Sequence, residues 1–259
     1  MLGAIIGDII GSRFEWNNIK TKEFEFFSDS CFFTDDSVLT IAVAKALIDS
    51  NKEPEKLRSL IADTLQKIGR PYPLCGYGGM FRTWMYSDNP ESYGSYGNGA
   101  AMRVSPCAYA ADSLEEALEL SKIVTEITHN HYEGIKGAEA TTAAIFLALD
   151  GKSIPEIRKH INDNYYPMDF TLDSIRDSYK FNETCQNTVP QAITAFLEST
   201  SFEDAIRNTI SIGGDSDTLG AITGGIAQAY YGIPDDIREK ALEYLDEGFI
   251  EILSEFENK

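Results

Sequence analysis

Apolar residues recur every three or four positions along most of this 259-residue chain, and this spacing restricts the fold more than any other feature. In the first segment they would line one face of a helix, at Leu2, Ile5, Ile6, Ile9 and Ile10. Residues 23–27 are the one stretch that resembles a short extended segment. We therefore predict an all-α fold.

The ends of several helices are also marked in the sequence. Ser113 with Glu116, and Ser153 with Glu156, have the spacing of capping boxes. Another helix is expected between Pro54 and Gly69. Further helices are predicted at about 131–149, 189–197, 202–211, 216–231 and from 235 to the C-terminus. No linker, composition break or internal repeat divides the chain, so we predict one domain over residues 1–259.

The charge balance excludes some classes of partner. With 22 basic and 41 acidic residues the formal net charge is −19, which disfavours non-specific binding to nucleic acid. The apolar runs are too short to span a bilayer, and Asp8 interrupts the apolar N-terminus, so neither a membrane anchor nor a signal peptide is expected. Four widely spaced cysteines fit reduced thiols. We expect a cytoplasmic protein that is a monomer or a small homo-oligomer.

Two acidic motifs with the same pattern each precede a predicted helix. The first is Thr34-Asp35-Asp36, and the second is Asp215-Ser216-Asp217-Thr218. Helix capping explains one aspartate at each motif but not two carboxylates with a hydroxyl. If the four carboxylates converge, each pair about 4 Å apart costs roughly 1–4 kcal/mol. Hard divalent cations favour such oxygens, so we predict a site for two Mg²⁺ or Mn²⁺ ions.

A third acidic element belongs to the first predicted helix. Gly3, Gly7 and Gly11 form a ridge of small residues along which another helix or a ligand could lie close. Glu15 follows this helix, where the chain must turn. Tight helix packing with a solvated Glu15 explains the pattern equally well.

The segment 69–99 is rich in glycine and aromatic residues and is expected to be a long loop. Glycines let backbone amides approach a ligand, and aromatic rings offer flat faces to a base or sugar. The candidate ligand-binding residues here are Gly76, Tyr77, Gly78, Gly79 and Phe81. An aromatic surface loop without a ligand is the alternative.

A second glycine-containing segment, Gly97-Asn98-Gly99, is expected to enter a helix, where free amides would suit a phosphate. We therefore place a ligand with a phosphate and a flat ring between this segment and residues 76–79. Arg103 and His129 are further candidates for ligand binding. A buried ion pair for Arg103 and a structural role for His129 are equally compatible with the sequence.

Five motifs together resemble the ADP-ribosylglycohydrolase family, in the order that the family has them. They are GDIIGSRFE (7–15), FTDDS (33–37), YGNGAAMR (96–103), THNH (128–131) and GGDSDT (213–218). The resemblance implies an all-α orthogonal helical bundle with two Mg²⁺ or Mn²⁺ ions. It also implies that the metal ligands are Thr34, Asp35, Asp36, Asp215, Asp217 and Thr218.

The resemblance implies cleavage of the glycosidic bond between ADP-ribose and an acceptor. Arginine is the favoured acceptor side chain, because an acidic surface attracts a cation, and serine is the next. The partner would be an ADP-ribosylated protein or a small ADP-ribosyl conjugate. Asp36 and Glu15 are the candidate catalytic residues. A two-metal nucleotide phosphohydrolase and a non-catalytic ADP-ribose-binding protein remain alternatives.

Overall fold

The computed structural model describes residues 1–258, which form fourteen α-helices and no β-strand. The predicted all-α class is therefore confirmed. Within this part of the chain, no helix has both the length and the hydropathy needed to cross a bilayer. The helices are α1 (Leu2–Ser12), α2 (Asp35–Ser50), α3 (Pro54–Gly69), α4 (Gly79–Met85), α5 (Ser105–Ala110), α6 (Leu114–Glu126), α7 (Tyr132–Leu149), α8 (Ile154–Asn164), α9 (Leu172–Ile175), α10 (Cys185–Leu197), α11 (Phe202–Ile210), α12 (Ser216–Tyr231), α13 (Asp235–Leu242) and α14 (Glu247–Glu257).

Helices α1 and α12 pack unusually closely, and glycine makes this contact possible. A Cβ atom on Gly7 would lie 1.9 Å from the Gly220 carbonyl oxygen, and one on Gly11 would lie 2.3 Å from the Ser216 carbonyl oxygen. Neither position could hold a side chain without separating the helices. The predicted small-residue ridge is confirmed, and it brings the buried Asp8 of α1 close to the first turn of α12.

The predicted helix starts near Ser113 and Ser153 are confirmed. Ser153 and Glu156 form the complete capping box of α8. Ser113 accepts a hydrogen bond from the Glu116 amide at the start of α6, while the Glu116 carboxylate accepts one from the Asp112 amide instead of the Ser113 amide. Local side-chain hydrogen bonds therefore determine where these helices begin.

Three predictions about secondary structure are wrong in detail. Residues 23–27 form bends rather than an extended strand. The predicted loop 69–99 contains helix α4, which packs the apolar faces of Phe81 and Trp84 into the core. The helix expected from Asp235 to the C-terminus is two helices, because the chain turns at 243–246 and buries Leu245 there.

The segment after Gly97 also differs from the prediction. It enters a single 3₁₀ turn at Asn98–Ala100, and the next α-helix begins only at Ser105. The amide of Asn98 is already paired with the Glu183 carbonyl oxygen at 2.7 Å. The expected helix N-terminus is therefore absent from residues 97–103, and a ligand there would meet a turn instead.

Candidate metal centre and adjoining pocket

The two acidic motifs converge where the first turns of α2 and α12 meet helix α1. Asp8, Asp36 and Asp217 each have a carboxylate oxygen within 4.8 Å of the others, and all three side chains are buried. Asp217 also forms a second group, with Asp215 and the half-buried Glu15, within the same distance. Two groups of three carboxylates thus share Asp217.

Asp8 holds the start of α2 in place. One of its carboxylate oxygens accepts a hydrogen bond from the Thr34 hydroxyl at 2.7 Å. The other accepts from the amides of Thr34 and Ser37, at 2.9 and 3.0 Å, and from the Ser37 hydroxyl. Both oxygens accept hydrogen bonds, so Asp8 orients Thr34 and the first turn of α2. Sequence analysis missed this residue; its one signal was an aspartate within an apolar helix.

The other buried aspartates keep oxygens available. Oδ1 of Asp36 has no hydrogen-bond partner, and Oδ2 lies 3.4 Å from the hydroxyls of both Thr34 and Thr218. Asp215 accepts a hydrogen bond of 2.7 Å from the Asn98 side-chain amide. Two hydroxyls and several carboxylates, each from a helix start, therefore face a common centre.

Burial and mutual repulsion raise the pKa values of these acids. Burial first, and then the neighbouring carboxylates, raise the pKa of Asp36 and of Asp217 well above the ordinary range. Burial raises the pKa of Asp8 and of Asp215 to about 6. For Glu15, burial and the charge of Asp217 raise the pKa to about 7.

No lysine or arginine within residues 1–258 forms an ion pair with these acids. Carboxylates without a cationic partner are costly to bury unless a cation compensates their charge. Asp36 contributes an unpartnered oxygen, and Thr34 and Thr218 contribute hydroxyls. Such hard oxygen donors fit Mg²⁺ or Mn²⁺ better than softer metals.

Asp35 lies apart from the two three-carboxylate groups and faces the adjoining pocket. Its Oδ1 would lie 2.8 Å from a Cβ atom on Gly76, so this glycine is needed for the close approach. Gly76 also has a φ of +117°, which disfavours any side chain. Burial, followed by the charges of Asp217 and Asp8, raises the pKa of Asp35 as well.

The pocket has a volume of about 390 Å³, within the range of small-molecule sites. Three acids, Glu15, Asp35 and Asp215, border it on the side of the acidic cluster. Most of the predicted ligand-binding residues line the rest of it: Gly76, Gly78, Gly79, Phe81, Gly97, Asn98, Gly99, Arg103 and His129. Tyr77 is not in the wall; its hydroxyl donates to the Gly69 carbonyl oxygen and its ring packs on Phe81.

Two of these wall residues are largely closed to solvent. Arg103 is fully buried and donates through Nη2 to the Thr128 hydroxyl at 2.6 Å. The same hydroxyl lies 2.7 Å from Nδ1 of His129, which is 5% exposed. Burial and the charge of Arg103 lower the pKa of His129 well below its usual range, so the ring is neutral.

Comparison with known proteins connects this arrangement to one family. The sequence model of the family described as ADP-ribosylglycohydrolase matches residues 1–258. Human ADP-ribosylhydrolase ARH3 is 24% identical, with 90% of this chain and 84% of that protein covered. The ADP-ribosyl-dinitrogen reductase glycohydrolase of Rhodospirillum rubrum is 30% identical over 61% of this chain and 53% of that protein.

A solved structure agrees at the level of the fold. The chain described as an ADP-ribosylglycohydrolase-related protein complex superposes with a TM-score of 0.74 at 22% identity, covering 98% of this chain and 93% of that one. The match extends over both acidic motifs and both glycine-containing segments. The chain belongs to the ADP-ribosylglycohydrolase family.

Proposed function

We propose that this protein is a metal-dependent hydrolase that cleaves the glycosidic bond between ADP-ribose and an acceptor side chain and releases free ADP-ribose. The main support is the single pocket that joins a cluster of uncompensated carboxylates to a glycine-lined wall. Membership of the ADP-ribosylglycohydrolase family supports the ADP-ribosyl part. A hydrolytic site needs both a means of activating water and a cradle for the substrate, and the two sides of the pocket suit these tasks.

Six residues would hold two Mg²⁺ or Mn²⁺ ions: Thr34, Asp35, Asp36, Asp215, Asp217 and Thr218. Such cations supply Lewis-acid stabilisation to the ribose hydroxyls and to the attacking water. Asp8 supports this set, because the Thr34 hydroxyl donates its proton to Asp8 and keeps its lone pairs for a cation. Asn98 similarly fixes one oxygen of Asp215.

The carboxylates also act on the substrate directly. Cleavage at the anomeric carbon develops positive charge on the ribose, and the nearby acids Glu15, Asp35 and Asp215 stabilise that charge. Glu15 is half-buried and borders the pocket, so its carboxylate can accept the proton of the attacking water. Asp36 is the second candidate for this role, although it lies deeper, with 2% of its surface exposed.

The opposite wall would hold the remainder of ADP-ribose. The segments 76–79 and 97–99 offer backbone close to the pocket, where amides can approach a pyrophosphate. Phe81 and His129 present ring surface beside these segments. Tyr77 would contribute indirectly, by supporting Phe81 from behind.

Arginine is the acceptor that we favour, followed by serine. Trp16 is 74% exposed and stacks on Phe181 with ring centroids 4.8 Å apart. This aromatic pair is next in sequence to Glu15 on one side and close to Glu183 on the other, and both acids border the pocket. An aromatic face flanked by carboxylates suits a guanidinium group.

Product analysis tests the reaction. The purified protein with Mg²⁺ or Mn²⁺ is incubated with ADP-ribosyl-arginine and ADP-ribosyl-serine peptides, and the products are identified by mass spectrometry. Free ADP-ribose and the unmodified peptide are expected, with faster release from arginine. Phosphate or AMP in place of ADP-ribose would identify a nucleotide phosphohydrolase. Binding of ADP-ribose without turnover of either peptide would identify a non-catalytic binding protein.

A further inference from the structure

Arg103 is a buried cation with few partners. Its side chain is fully buried, and it forms no ion pair within residues 1–258. Only Nη2 is hydrogen-bonded, to the Val124 carbonyl oxygen at 3.2 Å and to the Thr128 hydroxyl at 2.6 Å. Nε and Nη1 have no partner, and the Phe81 ring lies 5.7 Å away. A buried guanidinium without a counter-charge is costly.

The contact with Arg103 determines what the Thr128 hydroxyl can do. A guanidinium only donates, so the hydroxyl oxygen accepts from Arg103 and has one proton left to give. Nδ1 of His129 lies at 2.7 Å, whereas the Thr125 carbonyl oxygen lies at 3.4 Å. The Tyr93 phenol also neighbours Thr128, but it is a weaker acceptor than an imidazole nitrogen. Donation from Arg103 polarises the hydroxyl and makes it a better donor. This favours the short contact in which its proton goes to Nδ1 of His129 over the one in which its second lone pair accepts from an Nδ1–H.

The other nitrogen of His129 points toward the pocket wall. A Cβ atom placed on Gly99 would lie 3.3 Å from Nε2, and one on Gly97 would lie 3.7 Å from it. Both glycines line the pocket. If Nδ1 accepts from Thr128, the proton of the neutral ring is on Nε2, next to these two residues.

We propose that Arg103 and Thr128 are positioning residues that fix His129 in the Nε2–H tautomer, so that Nε2 donates to an anionic oxygen of the ligand beside Gly97 and Gly99. Arg103 thus acts through Thr128, and it adds positive potential to the wall of which it is itself a part. The identity of the anion, a pyrophosphate oxygen, rests on the proposed function; the tautomer does not.

Nitrogen-15 NMR of the imidazole rings reads the tautomer in the free protein. The chain has three histidines, and a His129→Gln variant identifies the signals of His129. We expect an unprotonated shift for Nδ1 and a protonated shift for Nε2 in the wild type. A protonated Nδ1 in the wild type would overturn the proposal without any variant having to fold.

Three variants connect the tautomer to binding. Thr128→Val removes the hydroxyl and should abolish the preference for Nε2–H and weaken ADP-ribose binding about tenfold. Thr128→Ser retains the hydroxyl and should restore both. Thr125→Val is the matched control, since the Thr125 hydroxyl is equally buried but has no partner.

Thr128→Val with an unchanged tautomer and unchanged affinity would contradict the proposal. A wild-type protein that does not bind ADP-ribose would count against the proposed function instead. In that case the tautomer of the free protein decides the positioning role alone.

Discussion

The two sides of the pocket bury opposite charges, and on both sides the charges lack ion-pair partners within residues 1–258. On one side, buried carboxylates including Asp36 and Asp217 repel one another and have no basic side chain to pair with. On the other side, the buried Arg103 has no ion-pair partner in the described part of the chain and is linked through the Thr128 hydroxyl to a neutral His129. The carboxylates of the acidic side could hold cations, whereas the other side carries a positive charge.

Arg103 and the aspartates carry opposite charges and line the same pocket, yet they form no ion pair. Arg103 is held by hydrogen bonds to Thr128 and Val124 on the α6 side, and the charge of Asp35 acts on it without a direct ion pair. Direct pairing would neutralise both sides and leave neither a cation site nor an anion site. The proposed substrate matches this division, because the pyrophosphate of ADP-ribose is joined directly to the neutral ribose whose bond would be cleaved.

The largest effect is expected from Asp217→Asn, because Asp217 belongs to both carboxylate groups. Hydrolysis of ADP-ribosyl-arginine should fall by at least about a hundredfold. The melting temperature of the chelated variant should rise at the same time, since one repelling charge is gone. The exposed Asp63→Asn is the control for both readouts. If Asp217→Asn is inactive but also less stable than the wild type after removal of metal, the carboxylates of the acidic side do not repel one another as we infer.

A large effect on the other side is expected from Gly99→Val. The new side chain would meet the His129 ring at 3.3 Å and occupy pocket space. ADP-ribose affinity should fall about tenfold, equivalent to about 1.4 kcal/mol, while cation binding is unchanged. Gly248→Val, at a glycine with open space around it, controls for the added bulk. If Gly99→Val loses cation binding and ADP-ribose binding equally, the two ligands do not bind on separate sides of the pocket.

The pH dependence of stability sharpens the comparison further. Folding raises the pKa of Glu15 to about 7, and it raises those of Asp36 and Asp217 as well. The folded state therefore binds protons more tightly than the unfolded state, and the chelated protein gains stability as the pH falls from 8 to 6.5. The N-terminal amine, whose pKa burial lowers to about 4, and His129, whose pKa is also lowered, oppose this gain, but the acids with raised pKa values outnumber them. Differential scanning calorimetry should show a higher melting temperature at pH 6.5.

Saturating Mn²⁺ should reverse that trend, because cations bind the ionised carboxylates and stabilise the folded state by mass action. The stabilisation by Mn²⁺ should thus be larger at pH 8 than at pH 6.5. A chelated protein that is most stable at pH 8 would contradict the raised pKa values.

The smallest effect is expected at the acceptor end. Trp16→Ala should raise KM for an ADP-ribosyl-arginine peptide by roughly twofold to fivefold, the value of an exposed cation–π contact. Affinity for free ADP-ribose should change less than this, because Trp16 does not line the pocket and reaches it only through its hydrogen bond to Glu15. Tyr230→Ala, at the opposite end of α12 from Asp217, is the aromatic control. An equal rise in KM for a serine-linked peptide would argue against arginine as the preferred acceptor.

The acidic side was easier to predict from sequence than the other side. The residues from Thr34 to Asp36 and from Asp215 to Thr218 are contiguous motifs at helix starts, so their convergence could be expected from a like-charge argument. The regular spacing of the glycine ridge also predicted that another helix or a ligand lies close to α1, and in the structure the neighbour is α12. Local sequence patterns were sufficient to predict these features because the residues of each one lie close together in the sequence.

The roles of Asp8 and Arg103 could not be predicted in the same way. Asp8 meets its partner Ser37 29 positions along the chain, and Arg103 meets Thr128 25 positions along. Their hydrogen bonds exist only after helices pack, and a single buried polar residue in a sequence does not reveal its partner. The turn before α14 was missed for the same reason, since burial of Leu245 there depends on tertiary contacts.

Calorimetric titration of Mn²⁺ into the chelated wild-type protein at pH 7 is the most direct test of a cation site among these carboxylates. We expect two ions per chain, release of protons on binding because the carboxylates are partly protonated, and loss of at least one ion in Asp217→Asn. Wild-type binding no stronger than that of Asp217→Asn would contradict the central claim that these acids converge to hold divalent cations.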